Sequence, residues 1–250
     1  MTGCALETEG LTKAFGGFTA VRDVALKVRR HTIHALIGPN GAGKTTVFNL
    51  LTKVHIPTGG RILYEDTDIT RDSPATIARR GIVRSFQISA TFPNMSVRDN
   101  VRVALQRGLG TQYDFWRSIR SLSVLNDRAM ALLADVGLAD YAEANAADLS
   151  YGRKRTLEIA TTLALDPPLL LLDEPTQGMA LEDVDRIKQL IRRIAKGRTI
   201  LMVEHNMSVV ADLCDTITVL QRGEILAQGT YGEVSNDPAV KAAYLGGGHA

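Results

Sequence analysis

Gly38-Pro39-Asn40-Gly41-Ala42-Gly43-Lys44-Thr45 follows directly on the apolar run Ile33–Ile37. It opens a stretch from about Lys44 to Lys53 in which Val47, Phe48, Leu50 and Leu51 form an apolar face. Strand, glycine-bearing loop, then helix is the setting in which the pattern G-x-x-x-x-G-K-[ST] cradles phosphate. Glycines let successive backbone N–H groups turn inward, and the helix start adds partial positive charge. Lys44 then reaches the β- and γ-phosphates, Thr45 sets its hydroxyl on Mg²⁺, and Thr46 helps hold the α-phosphate. This stretch alone indicates a nucleotide and leaves open what chemistry follows.

Further along the chain, Leu169–Leu172 is a wholly apolar strand that ends in Asp173-Glu174-Pro175. Such a strand belongs in a parallel sheet covered on both faces. It delivers both carboxylates to the sheet's carboxyl edge, where ligands of these sheets bind. Asp173 is placed to hold Mg²⁺, directly or through water, and Glu174 to orient and deprotonate an attacking water. Thr199–Val203 reads as another buried strand. Residues 182–195 carry Val184, Ile187, Leu190, Ile191 and Ile194 at helical spacing, with Gly197 beyond. Ala5–Phe15 and Arg61–Tyr64 read as strands, and Thr216–Leu220 with Glu224–Ala227 as a hairpin over Gln221-Arg222-Gly223. Ser96-Val97-Arg98-Asp99 reads as a capping box that begins a helical region reaching Leu165. The expected fold class is therefore α/β: a nucleotide-binding core interrupted by a helical insert.

With 250 residues, 45% of them hydrophobic, the chain can bury one large core or two joined ones. A net charge of +2 is too small to argue for a nucleic acid partner or for a strongly attracted membrane surface, and no nucleic acid is expected. Cys4 and Cys214 match no metal spacing and read as free thiols, Cys214 in the core. Met1–Gly10 lacks a signal-peptide pattern, and no apolar run approaches the ~20 residues of a membrane helix. A soluble chain is expected, with any membrane role exerted through another subunit.

Three further motifs stand in order around these two. Gln87 lies in Ser85-Phe86-Gln87, Leu149-Ser150-Tyr151-Gly152-Arg153 falls between the phosphate loop and the acid pair, and His205 lies in Val203-Glu204-His205. With them the chain resembles the ATPases of ABC transporters over nearly its whole length. The resemblance implies a P-loop (RecA-like) core with an antiparallel β subdomain, at about 1–87 and 166–250. It implies an inserted helical subdomain at about 88–165. It also implies two such domains paired head to tail around two ATP molecules, the signature Ser150, Tyr151 and Gly152 of one chain meeting the ATP held by the other. Gly38, Pro39, Asn40, Gly41, Ala42, Gly43, Lys44, Thr45 and Thr46 would hold ATP. Thr45, Asp173 and Gln87 would serve Mg²⁺, and Glu174, His205 and Gln87 would act in hydrolysis. Phe15 stands where the family stacks a ring on adenine; its other reading is a core Phe ending a strand. Ser150 would cap a helix running to Leu165, its end facing the γ-phosphate across the dimer.

Three departures mark this chain. Tyr151 and Arg153 replace the usual Gly and Gln of the signature. Ala180 stands where the family has an aspartate, with Glu182 and Asp183 nearby but out of register. His31-Thr32 replaces a Gly-Glu turn. The Tyr-Gly signature, the extra segment near 107–125 and the ending Ala243-Tyr244-Leu245-Gly246 resemble ATPases of bacterial branched-chain amino-acid importers. Urea or amide importers and the lipopolysaccharide-extracting ATPase share the architecture. The resemblance implies a second ATPase chain (identical or paralogous), two integral membrane permeases, a periplasmic binding protein, and a place on the cytoplasmic face of the inner membrane. The segment from Gln87 to Gln106, with Phe92 and Met95, would dock the permeases. A GTPase would need an Asn-Lys-x-Asp run. Chromosome-maintenance and ribosome-binding relatives would need long coiled coils or two ATPase domains in one chain. None of these is present.

Overall fold

The computed structural model describes residues 3–85, 91–109 and 123–245. The chain divides into two compact units: residues 1–84, 168–177 and 191–250, and residues 85–167 with 178–190.

The first unit carries two sheets. One is antiparallel: β1 (Cys4–Phe15) pairs with β2 (Phe18–Val24), β3 (Lys27–Arg29) and β5 (Gly59–Tyr64), and β5 also pairs with β6 (Thr67–Asp68). The other runs β11 (Glu224–Gly229), β10 (Thr216–Gln221), β4 (Ile33–Ile37), β9 (Thr199–Val203), β8 (Leu169–Asp173), β7 (Ile82–Ser85). Strands β10, β4, β9 and β8 are parallel, and every residue of β4, β8 and β9 is buried. That is why these strands read as unbroken apolar runs rather than alternating ones. The register aligns Leu36 with Val203 and Val203 with Asp173. Three strand ends therefore lie level, and the residues after them (Gly38, Glu174, Glu204 and His205) share one edge of the sheet.

Helix α1 (Lys44–Leu51) buries Val47, Phe48, Leu50 and Leu51, the apolar face expected, and stops two residues short of Lys53. Helix α2 (Pro74–Arg79) and strand β7 are too short to register as a period in the sequence. On β4, His34 is buried, its Nε2 2.8 Å from the Thr218 hydroxyl of β10; burial pushes its pKa down to about 4, so the ring stays neutral. Cys214 is half-buried with Sγ 3.8 Å from Met202 Sδ, and burial pushes its thiol up to about 12. It is an inert thiol at the core's margin rather than inside it.

The second unit holds α3 (Val97–Leu105), α4 (Asn126–Val136) and α5 (Tyr151–Leu163), which pack on one another. Only half of the capping box at α3 forms. The Asp99 N–H donates to Ser96 Oγ at 3.0 Å, while the Asp99 carboxylate accepts from Arg102 instead. Helix α6 (Leu181–Ile194) begins in this unit, where Gly178 and Asp183 lie against Tyr151 and Gly152. Residues 178–190 thus cluster with the helical insert and not with the acid pair that precedes them. Two further helices follow α7 (Met207–Leu213): α8 (Tyr231–Asn236), closed by a full capping box from Thr230 and Glu233, and α9 (Pro238–Leu245).

Candidate active site

At the level edge of the parallel sheet a cavity of about 340 Å³ is lined by residues 40–46, Phe18, Ala20, Glu174 and His205. The loop from Gly38 is bound down at both ends. Ala42 N–H donates to the Pro39 carbonyl at 3.2 Å, and Gly223 N–H to the Ala42 carbonyl at 3.0 Å. At Gly38, φ is +148°, and a Cβ would stand 2.1 Å from the Leu220 carbonyl oxygen. Only glycine fits there. Lys44 is buried and donates to the carbonyls of Gly38 (2.7 Å) and Pro39 (3.0 Å). Burial pushes its pKa down, while the charges of Glu174 and Asp173 pull it back up. Thr45 and Thr46 line the same cavity, so loop, lysine and hydroxyls converge on one space.

The two acids of the pair have different surroundings. Asp173, 1% exposed, ends β8 and forms an ion pair with Arg84 of β7. Arg84 also donates to Asn49 Oδ1 at 2.7 Å and lies over the Phe48 ring. Glu174 faces the cavity. Its backbone is left-handed (φ +47°), a strained state for a non-glycine residue, held by its N–H donating to the Val203 carbonyl at 2.9 Å. Its Oε1 lies 2.6 Å from His205 Nε2. The sequence thus brought Lys44, Thr45, Thr46, Glu174 and His205 to one place.

Arg84 and Glu204 were not foreseen. Arg84 sits in a strand of four residues, and Glu204 reads in sequence as a neighbour of His205 with no role of its own. Phe18 was also missed. Gly16-Gly17 closes a hairpin that sets Phe18 directly opposite Phe15. Phe18, 66% exposed, lines the cavity. Phe15, 43% exposed, packs edge-on against His55 at 5.2 Å and beneath the Lys13 ammonium at 5.0 Å. It is not a core residue. Gln87 lies outside the described residues.

In the second unit Ser150 stands at the N-cap of α5 with extended backbone, yet its side chain makes no capping hydrogen bond. This corrects the expectation of a serine cap and leaves an exposed hydroxyl at the helix start. At Gly152, a Cβ would stand 2.5 Å from Asp183 Oδ2. Glycine at this position therefore admits a carboxylate from the start of α6. Arg153 lies 4.1 Å over the Tyr141 ring and so points along the helical unit.

The ABC transporter family model matches residues 21–177 of the chain. The chain therefore belongs to the ABC transporter ATP-binding family, and it is an ATPase coupled to transport. The model for branched-chain amino acid ATP-binding cassette transporters matches residues 224–250. The high-affinity branched-chain amino acid transport ATP-binding protein BraF of Pseudomonas aeruginosa is 40% identical, over 96% of this chain and 97% of the relative. LivG of Escherichia coli K12, of the same description, is 40% identical over the same shares. The lipopolysaccharide export ATP-binding protein LptB of Escherichia coli K12 is 34% identical over 96% of this chain and 97% of its own. A solved ATP-binding cassette in its ADP conformation matches with TM-score 0.86 and 29% identity, covering 98% of this chain and 100% of that one. A nucleotide-free cassette matches with TM-score 0.84 and 28% identity, over 96% and 98%. Among the described residues no helix is long and apolar enough to cross a membrane.

Proposed function

We propose that this chain is the ATP-hydrolysing subunit of an importer of branched-chain amino acids, working at the cytoplasmic face of a bacterial inner membrane. Its partners are a second ATPase chain, two permease subunits and a periplasmic binding protein. The observation that carries this reading is the 40% identity to BraF and LivG across 96% of the chain, joined to the match of residues 224–250. Similarity to LptB supports a lipopolysaccharide exporter less well, at 34% identity. Disrupting the gene in its source organism should abolish uptake of labelled leucine, isoleucine and valine. A restored wild-type copy should return uptake and a Lys44→Ala copy should not. Undiminished uptake in the disrupted strain overturns the substrate assignment.

The geometry supports a sequence of acts. On ATP entry Lys44 exchanges the Gly38 and Pro39 carbonyls for β- and γ-phosphate oxygens, while the loop N–H groups and the start of α1 take the rest of the charge. Phe18 and Phe15, side by side on the hairpin, are the rings available to the base, and Phe18 already lines the cavity. Thr45 hydroxyl and Asp173 carboxylate are hard oxygen donors and fit Mg²⁺. When bound, that ion neutralises charge developing on the phosphates. Asp173 would meet it while still balanced by Arg84. Glu174 takes the proton of the attacking water, and His205 orients the carboxylate from the opposite side. Ser150 and Gly152 serve the γ-phosphate of the ATP held by the second chain, and Gln87 links the site to the permeases. Phe92, half exposed, presents its ring there; its backbone is clamped by Asn100, which accepts from its N–H at 2.7 Å and donates to its carbonyl at 3.1 Å.

A further inference from the structure

Glu204 is 2% exposed, yet its carboxylate is a meeting point for four donors. Oε1 accepts from the Thr176 N–H at 3.0 Å and the Thr176 hydroxyl at 2.6 Å. Oε2 accepts from the N–H groups of His205 at 3.0 Å and Asn206 at 3.2 Å. One oxygen thus fastens the turn two residues after Glu174, and the other fastens the backbone that carries the His205 ring. A buried carboxylate is costly unless fully hydrogen-bonded, and here every bond is spent on the two segments that hold the Glu174–His205 pair.

We infer that Glu204 is a positioning residue for ATP hydrolysis, setting the 2.6 Å contact between His205 and Glu174 by tying both of their loops to one carboxylate. The inference rests on the roles of Glu174 and His205 put forward above. The alternative is a carboxylate that merely holds the end of β9 together. The two differ in a way that stability does not report. A positioning residue acts through His205, so its loss and the loss of His205 overlap; a structural one adds its cost independently.

The test is a cycle of Glu204→Gln, His205→Ala and the double variant in the full chain, with kcat and KM for ATP measured for each. Glu204→Gln keeps the volume but puts an amide donor where an acceptor is needed. Its kcat should fall about 10- to 100-fold while KM moves less than about threefold. In the His205→Ala background the same change should lower kcat less than about twofold. The imidazole ¹⁵N shifts of His205 should also move in Glu204→Gln at constant pH. Parental kcat in Glu204→Gln, or losses that multiply in the double variant, overturns the inference while leaving the site as described. Parental kcat in His205→Ala overturns the reading of the site itself, a separate result. If Glu204→Gln does not fold cooperatively, Thr176→Val, which removes one of the four donors, replaces it in the cycle under the same criteria.

Discussion

The phosphate-binding unit and the signature-bearing unit treat their functional groups in opposite ways. In the first, the polar groups of the site are engaged with one another. Lys44 rests on the carbonyls of Gly38 and Pro39, Asp173 on Arg84, Glu174 on His205, and Glu204 on two loops. In the second, Ser150 caps no N–H and is exposed, and Leu181 at the start of α6 is 84% exposed. Internal pairing keeps charged groups from incurring a desolvation cost before substrate arrives. An exposed hydroxyl and a bare leucine have no such purpose within one chain. The first unit thus holds its polar groups ready within one chain, and under the proposed function the open groups of the second unit meet a partner ATPase chain.

The largest effect is expected at Glu174. If it is the base, Glu174→Gln should lower ATP hydrolysis about 10²- to 10⁴-fold while ATP still binds. The variant should also accumulate an ATP-bound dimer in size-exclusion chromatography with ATP and Mg²⁺. Parental turnover would move the base role to another group, His205 first.

The open unit is tested by mixing. Chains carrying Ser150→Arg and chains carrying Lys44→Ala should each be inactive alone, because one spoils the surface offered to the partner and the other the cradle. Mixed dimers keep one intact composite site, so about a quarter to a half of the parental rate should return where one site suffices. A Ser150→Arg chain that hydrolyses ATP at the parental rate at every concentration would show that the exposed serine serves nothing.

The closed unit is tested at Arg84. Arg84→Met removes the cation that balances a buried Asp173, and stability should fall by about 3–5 kcal/mol in urea unfolding. A loss below about 1 kcal/mol would mean that Asp173 needs no counter-ion, and that the paired character of the first unit is overstated.

How far each region was legible follows from how local its signals are. The phosphate loop, the acid pair and His205 are contiguous motifs on strand ends, so their residue types and spacing were readable directly. The parallel strands were readable because burial on both faces leaves no polar position in them. Arg84 finds Asp173 across 89 residues of chain. Glu204 finds Thr176 across 28. Asp183 finds Gly152 only because α6 begins beside α5. Such pairs are set by strand order and helix packing, which no local pattern encodes. Phe18 was hidden for a related reason: its place beside Phe15 depends on a two-residue hairpin register, and the family pattern drew the reading to Phe15.

The smallest effect separates strain that serves the site from strain that does not. Glu174 and Lys53 both hold left-handed backbones, at φ +47° and +62°. Glu174 thereby faces the cavity, whereas Lys53 lies just past α1, at the position where helices usually place glycine. It is 5% exposed, and its Nζ has no hydrogen-bond partner among the described residues. Burial pushes its pKa down to about 8, against the pull of Asp72 and Asp68. The sign follows. Below about pH 8 the ammonium is charged in both folded and unfolded chains, and its burial cost is carried in full. Between about 8 and 10.5 the unfolded chain holds more protons, so stability rises with pH. Lys53→Gly should therefore stabilise the protein by about 1 kcal/mol at pH 7, through relief of the left-handed backbone and of the buried charge together. Lys53→Met keeps the strained backbone and removes only the charge, so its gain should shrink as pH rises through that window, while part of the glycine gain persists. Urea unfolding of the three proteins at pH 7 and pH 10 reads this directly. A Lys53→Gly chain less stable than its parent at both pH values would show that Lys53 supports the structure in a way that its unpartnered ammonium does not reveal.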